Sequence, residues 1–256
     1  SVEPNHCRTI GGCKLTITGH NFGHEQGAHI GVYVDGHLCA GIGRGDQPQW
    51  LSHHKMECVV SHGIGEKLDV SVEVSEQISP VNELFHFNYG QVFGLRPNHG
   101  KYKGGEEVTV IGENFGTQEA MELKVQRKIQ LAENRLKNLR ITLKDLQKQI
   151  DDTSDNDSKS KLVAKRDVYN KQIEEAKIIF ENSKKATPSD LIKVSMGDYE
   201  VKSVEWISDT EIRVITGEGT GGDLIPRLSI DGQLNTDSSI YDEKSKIDLL
   251  QKSKDA

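Results

Sequence analysis

The chain repeats itself. Residues 4–23 read PNHCRTIGGCKLTITGHNFG and residues 97–116 read PNHGKYKGGEEVTVIGENFG, ten identities in twenty positions at a constant offset of 93 with no gap. A period of about 90 residues is too long for a solenoid unit and matches a small domain with its own core. Two related domains in tandem, each folding on its own, are the expectation.

The repeated block carries its own physics. A Pro and a Gly-Gly pair punctuate a turn, and KLTITG or EVTVIG then alternates apolar with polar side chains as a half-buried strand does. Asn21-Phe22-Gly23 and Asn114-Phe115-Gly116 follow, each joining a turn-tolerant Asn, an apolar plug and a Gly suited to positive φ. Further on, Trp50-Leu51-Ser52 and Met56-Glu57-Cys58-Val59 match Trp206-Ile207-Ser208 and Ile212-Arg213-Val214-Ile215 at an offset of 156. Alternating segments LDVSVEV and LIPRLSI come after, and neither domain body shows a helical period. Both bodies read as all-β sandwiches.

Pro, a short turn, Gly-Gly, a Leu-Thr-Ile-type strand, Gly and then Asn-Phe-Gly resemble the IPT/TIG domains, immunoglobulin-like modules of plexins, related receptors and some transcription factors. A GVYVDGHLC strand pair, the placement of Cys39 and Cys58, and a domain end near Phe85-His86-Phe87-Asn88-Tyr89 agree with that resemblance. It covers about residues 1–116 and 190–241. What it implies is two Ig-like β-sandwiches in tandem; with the insertion read below, the expected fold class is mostly β with a helical insertion, an antiparallel α-helical hairpin inserted in the second sandwich. The boundaries expected are 1–90 for the first sandwich, 91–116 with 190–241 for the second, 117–189 for the hairpin and 242–256 for a terminal tail or helix. A fold of this kind hosts many functions, so function must come from elsewhere.

The repeat serves as an internal control for the cysteines. Cys39 aligns with Val201 and Cys58 with Val214, so two cysteines become two valines together. That pattern is expected if the side chains face each other across the core, bridged in one copy and packed as hydrophobes in the other. Cys7 and Cys13 become Gly100 and Glu106. Of the three connectivities four cysteines allow, Cys39 to Cys58 and Cys7 to Cys13 is the one inferred. A Cys39–Cys58 bridge would add about 3 kcal/mol on the chain-entropy model and would place the protein in an oxidising compartment. Reduced, buried thiols in a cytosolic protein are the alternative. No CxxC spacing supports zinc, and a ligand set of His53, His54 and His62 competes with the ordinary reading of solvated histidines.

Between Asn114-Phe115-Gly116 and the next strand the second copy is longer by 69 residues. From Val125, the positions Ile129, Ala132, Leu136, Leu139, Leu143, Leu146 and Ile150 fall at spacings of 4, 3, 4, 3, 4, 3, 4, an uninterrupted heptad seam. A polar run from Asp151 to Ser158 interrupts it, and Leu162, Tyr169, Ile173, Ala176 and Phe180 resume it until Pro188. An antiparallel hairpin follows, each arm about 45 Å long, expected to project like a lever. Residues 117–190 hold 16 Lys+Arg against 13 Asp+Glu, within a chain of net charge −7. The arm is therefore mildly basic and the remainder acidic. Arg140, Lys144, Lys148, Lys165 and Arg166 are the expected partner contacts, against the plainer reading of a solvated coiled-coil face.

Arg44-Gly45-Asp46 resembles the integrin-binding tripeptide, although Gly-rich polar loops also generate it by chance. No Ser/His/Asp or Cys/His set, paired carboxylates or phosphate loop can be placed, so neither enzyme activity nor a cofactor is expected. Net charge −7 opposes nucleic-acid binding. No apolar run is long enough to span a bilayer, and the chain, beginning at Ser1, reads as an excised segment whose parent could be membrane-anchored. The sequence reading is thus a non-enzymatic recognition or adhesion segment of a larger cell-surface or extracellular protein, binding a protein partner or a second copy through the hairpin. An intracellular scaffold or tethering module, in the manner of vesicle-tethering machinery, is the alternative, and a DNA-binding or carbohydrate-binding module the third.

Overall fold

The computed structural model describes residues 1–23, 30–42, 47–222 and 224–234. The chain forms two compact units, one from residues up to Met121 with those from Pro188 onward, the other from Glu122–Thr187.

The first unit contains four sheets. One sheet of the first sandwich runs β1 (Val2–Glu3), β3 (Lys14–Thr18), β7 (Lys55–Val59), β6 (Gln49–Ser52). Its facing sheet runs β2 (His6–Cys7), β10 (Asn82–Phe87), β8 (Leu68–Val74), β4 (Ile30–Val34), β5 (His37–Leu38), with β9 (Gln77–Ile78) also on β8. In the second sandwich the order is β11 (Gln91–Arg96), β12 (Glu107–Glu113), β16 (Glu211–Ile215), β15 (Ser203–Ser208). Facing it are β14 (Tyr199–Glu200), β13 (Ile192–Met196), β17 (Pro226–Ile230) and β18 (Gln233–Leu234).

The sequence offsets reappear as matching strands. β7 and β16 lie 156 apart, β4 and β13 162 apart, and β3 pairs with β7 as β12 pairs with β16, all antiparallel. Alternation sets which side chains turn inward: Leu15 and Ile17 from β3, Val108 and Val110 from β12. In the first sandwich Leu15, Val32, Met56, Cys58 and Phe85 gather into one core. The repeated turn does what its residues predict. Asn21 and Asn114 take φ of 66° and 59°, Gly23 and Gly116 take 77° and 95°, and Phe22 and Phe115 are buried between them. Gly19 stands where a Cβ would approach the Phe22 ring to 2.7 Å, which explains the glycine before each plug.

The second unit is a helical pair, α1 (Gln118–Asp152) and α2 (Asn156–Ser183), joined by three residues. Their lengths correspond to about 52 and 42 Å at 1.5 Å per residue. Asp155 caps α2 by accepting the Ser158 N–H at 2.8 Å. Leu136, Ile173 and Ala176 form a buried cluster against Leu139, Leu143 and Phe180, so the heptad seam is the packing seam. Ala132, Leu146 and Ile150 on the same stripe are buried too. No helix among the described residues is long and apolar enough to cross a membrane.

Candidate interaction surfaces

Steps of four residues along α1 put Arg140, Lys144 and Lys148 in one row, about 6 Å apart. All three are exposed, and none makes an ion pair among the described residues. Lys165 on α2 is likewise exposed and unpaired. Arg166 differs: it is half-buried and donates to the Asp167 carboxylate from Nε at 3.1 Å and Nη2 at 2.9 Å. Lys161 is answered by Asp157, Lys177 by Glu174 and Lys184, just past the end of α2, by Glu181, at 2.6, 2.6 and 2.9 Å, whereas Lys159 and Lys171 are exposed and make no ion pair among the described residues. The hairpin also leaves Leu131, Ile141, Val168, Ile178 and Ile179 exposed. Exposed cations without an ion pair among the described residues thus lie on both helices, Arg135, Lys137, Arg140, Lys144 and Lys148 on α1 and Lys159, Lys165 and Lys171 on α2, and only on α1 do three of them follow at steps of four.

Cys7 and Cys13 form a disulfide. Cys39 and Cys58 are free and buried, where the repeat predicts a second bridge. The two thiols hydrogen-bond, and that contact followed by burial pushes the Cys58 thiol up, away from the reactive thiolate. Both pack as hydrophobes in the first core, the role that the buried Val214 fills in the second sandwich.

Residues 1–87 match the family profile of the IPT/TIG domain. The first sandwich is an IPT/TIG domain. Its matched end falls on Phe87, the last residue of β10. Among curated proteins, none matches the chain. Two solved structures of the plexin A4 extracellular region are similar to 93% of it. That with domains 1 to 10 is 13% identical with a TM-score of 0.29, and that with domains 1 to 8 is 15% identical with a TM-score of 0.30. The chain spans 15% and 17% of their lengths.

Loop residues of the IPT/TIG domain bring His20, not His62, to His54, whose ring also meets that of His53. His20 Nδ1 lies 3.1 Å from His54 Nδ1, and the His53 and His54 ring centroids are 5.0 Å apart. Nδ1 of His53 and of His54 contact the Gly23 and Gly19 carbonyls at 3.2 and 3.0 Å. Among the described residues no group of three or more His, Cys, Asp or Glu could hold a metal. Trp50 donates its indole N–H to the Phe22 carbonyl at 3.1 Å, a structural use of that ring. Arg44-Gly45-Asp46 lies outside the described residues.

The seam between the IPT/TIG domain and the second sandwich escapes sequence reading. Thr9 is buried there and bonds Asp209, Gln233 Nε2 donates to the Phe87 carbonyl at 2.7 Å, and Gly90 sits within 3.0 Å of Ile230 and Leu228 measured from an added Cβ. No periodicity marks these positions.

Proposed function

We propose that the chain is a non-enzymatic protein-recognition segment of a larger cell-surface or extracellular protein, and that its helical hairpin contacts the partner. The observation carrying this reading is the row Arg140, Lys144 and Lys148 on α1, exposed and without an ion pair among the described residues. A row of cations with no ion-pair partner among the described residues complements an acidic protein surface. An IPT/TIG domain over residues 1–87 suits an interaction module, and the Cys7–Cys13 bridge suits an oxidising compartment. In that compartment Cys39 and Cys58 close a second bridge. Domain boundaries near residue 90 and at 117–189 follow from the same reading, as does self-association as one route of partner contact.

The test replaces residues 118–188 by a short Gly linker and, separately, reverses Arg140, Lys144 and Lys148 to Glu. Binding of the labelled chain to a displayed panel of extracellular domains is then compared with wild type. Loss of binding in both variants, with the disulfide retained, supports the reading, and retained binding sinks it. A second reading, an intracellular scaffold or tethering module, is favoured by the free Cys39 and Cys58 thiols.

A further inference from the structure

Asn156-Asp157-Ser158 is the single Asn-x-Ser/Thr triplet in the sequence, and its middle residue is not proline, which is the pattern of an acceptor for N-linked glycans. The fold puts this triplet at the tip of the hairpin. α1 ends at Asp152 and α2 starts at Asn156, so three residues separate the helices there. Asn156, Asp157 and Ser158 are all exposed. Side chains of a helix lean toward its N-terminus, and the N-terminus of α2 is the tip, so Asn156 leans outward from the packed stretch around Ile173 and Ala176. Its amide makes no hydrogen bond among the described residues. Other asparagines are held by the fold: Asn88 Oδ1 lies 2.9 Å from His6 Nδ1, the Asn82 amide donates to the Pro80 carbonyl at 3.3 Å, and Asn114 is buried. The start of α2 depends on Asp155 instead, whose carboxylate accepts the Ser158 N–H at 2.8 Å. A bulky polar substituent on Asn156 Nδ2 therefore meets solvent and leaves the cap in place.

We propose that Asn156 carries an N-linked glycan at the tip of the hairpin, an inference that rests on the cell-surface or extracellular reading given above. The co-reactant is an oligosaccharide joined through its first sugar to a lipid pyrophosphate. A bond forms between Asn156 Nδ2 and C1 of that sugar as the C1–O bond to the pyrophosphate breaks. The lipid pyrophosphate leaves with the bonding electron pair, and Nδ2 gives up one proton to a base of the transferase. Ser158 supplies the hydroxyl that the acceptor pattern demands two residues on. Such a glycan is bulky and solubilising. It covers the end of the hairpin and leaves a protein partner the flank along which Arg140, Lys144 and Lys148 run.

The test is the intact mass of the full chain secreted from a eukaryotic host, before and after an amidase that releases N-linked glycans. A mass excess over the bare chain is expected, removed by the amidase with an aspartate left at position 156, which peptide mass spectrometry reads. Asn156→Gln and, separately, Ser158→Ala are each expected to lose the excess. Ser158→Ala keeps the backbone N–H that Asp155 accepts, so far-UV circular dichroism of the variants should match wild type. Secreted chain without the excess, or an excess that persists in Asn156→Gln, overturns the proposal. Binding of Asn156→Gln to the displayed panel is expected to equal that of wild type, and loss of binding would overturn the assignment of the contact to the flank. The two readings fail separately: a bare Asn156 with partner binding intact removes the glycan alone, whereas a glycosylated chain that binds nothing on the panel removes the recognition role alone.

Discussion

Thr9 and Asp209 are two hundred residues apart in sequence and joined by a 2.6 Å hydrogen bond. The Thr9 hydroxyl donates to Asp209 Oδ1, which also accepts the Gly116 N–H at 2.8 Å. One carboxylate therefore ties the first sandwich to the turn that follows β12 in the second. Thr9 is 1% exposed, so its hydroxyl has no alternative partner in water.

Replacing Thr9 by Val keeps the shape and removes the donor. Loss of a partly buried hydrogen bond to a charged acceptor is expected to cost about 1–3 kcal/mol. Urea unfolding followed by Trp fluorescence checks it, with the midpoint falling and the slope unchanged.

Glycines along the second sandwich divide by what surrounds them. A Cβ on Gly112 would collide with the Gln91 carbonyl and the Phe115 ring, whereas one on Gly94 would meet nothing within 4 Å. Gly112→Ala is expected to cost about 3 kcal/mol through overpacking against backbone, and Gly94→Ala to stay within about 0.5 kcal/mol of wild type. Thermal midpoints of the two variants measure the contrast.

Acid acts on the first sandwich through His86. Burial, followed by the facing His6, holds the His86 imidazole below its ordinary value of 6.5, and Glu66 opposes them weakly. The rings of His6 and His86 stack at 5.6 Å across the parallel β2–β10 pair. A histidine with a depressed folded pKa binds its proton more readily when unfolded. Its contribution is therefore complete above pH 6.5 and is lost as the pH falls from there through the folded value. The thermal midpoint should decline over that window, and His86→Gln should flatten the decline.

Oxidation state separates the two compartments. Intact mass with and without alkylation, on protein secreted from a eukaryotic host, is expected to show two bridges, with a peptide linking Cys39 to Cys58. Four alkylated cysteines in folded protein would favour the scaffold reading. Under reducing conditions Cys39→Val with Cys58→Val is expected to cost less than about 1.5 kcal/mol, as near volume-conserving core exchanges do.

Much of the fold was legible because repetition and periodicity act locally. The offsets located matching strands, the alternation in KLTIT chose Leu15 and Ile17 as core, and the heptad from Val125 chose the seam that Leu136 and Ile150 bury. The Asn-Phe-Gly turns declared both their positive φ and their plug. What stayed hidden depends on contacts between distant segments. Thr9 gives no sign of meeting Asp209, His54 none of preferring His20 to His62, and composition does not tell Arg140, Lys144 and Lys148 from cations such as Lys161 and Lys177 that neighbouring carboxylates answer. Arg140, Lys144, Lys148, Lys165 and Arg166 all lie on the helical pair, and only packing sorts Arg166, held by Asp167, from Arg140. The thiols of Cys39 and Cys58 were placed together, while their redox state is a property of the compartment rather than of spacing.

The unpaired row on α1 bears on kinetics as well as affinity. Charges that no partner among the described residues neutralises extend their field about one Debye length, roughly 8 Å at physiological salt, beyond the helix. Such charges act during the approach of two molecules, raising the frequency of well-oriented encounters, whereas residence time is set by what the contact buries. Rising ionic strength should thus slow capture of an acidic partner while leaving its release, and the helicity of the hairpin, nearly unchanged.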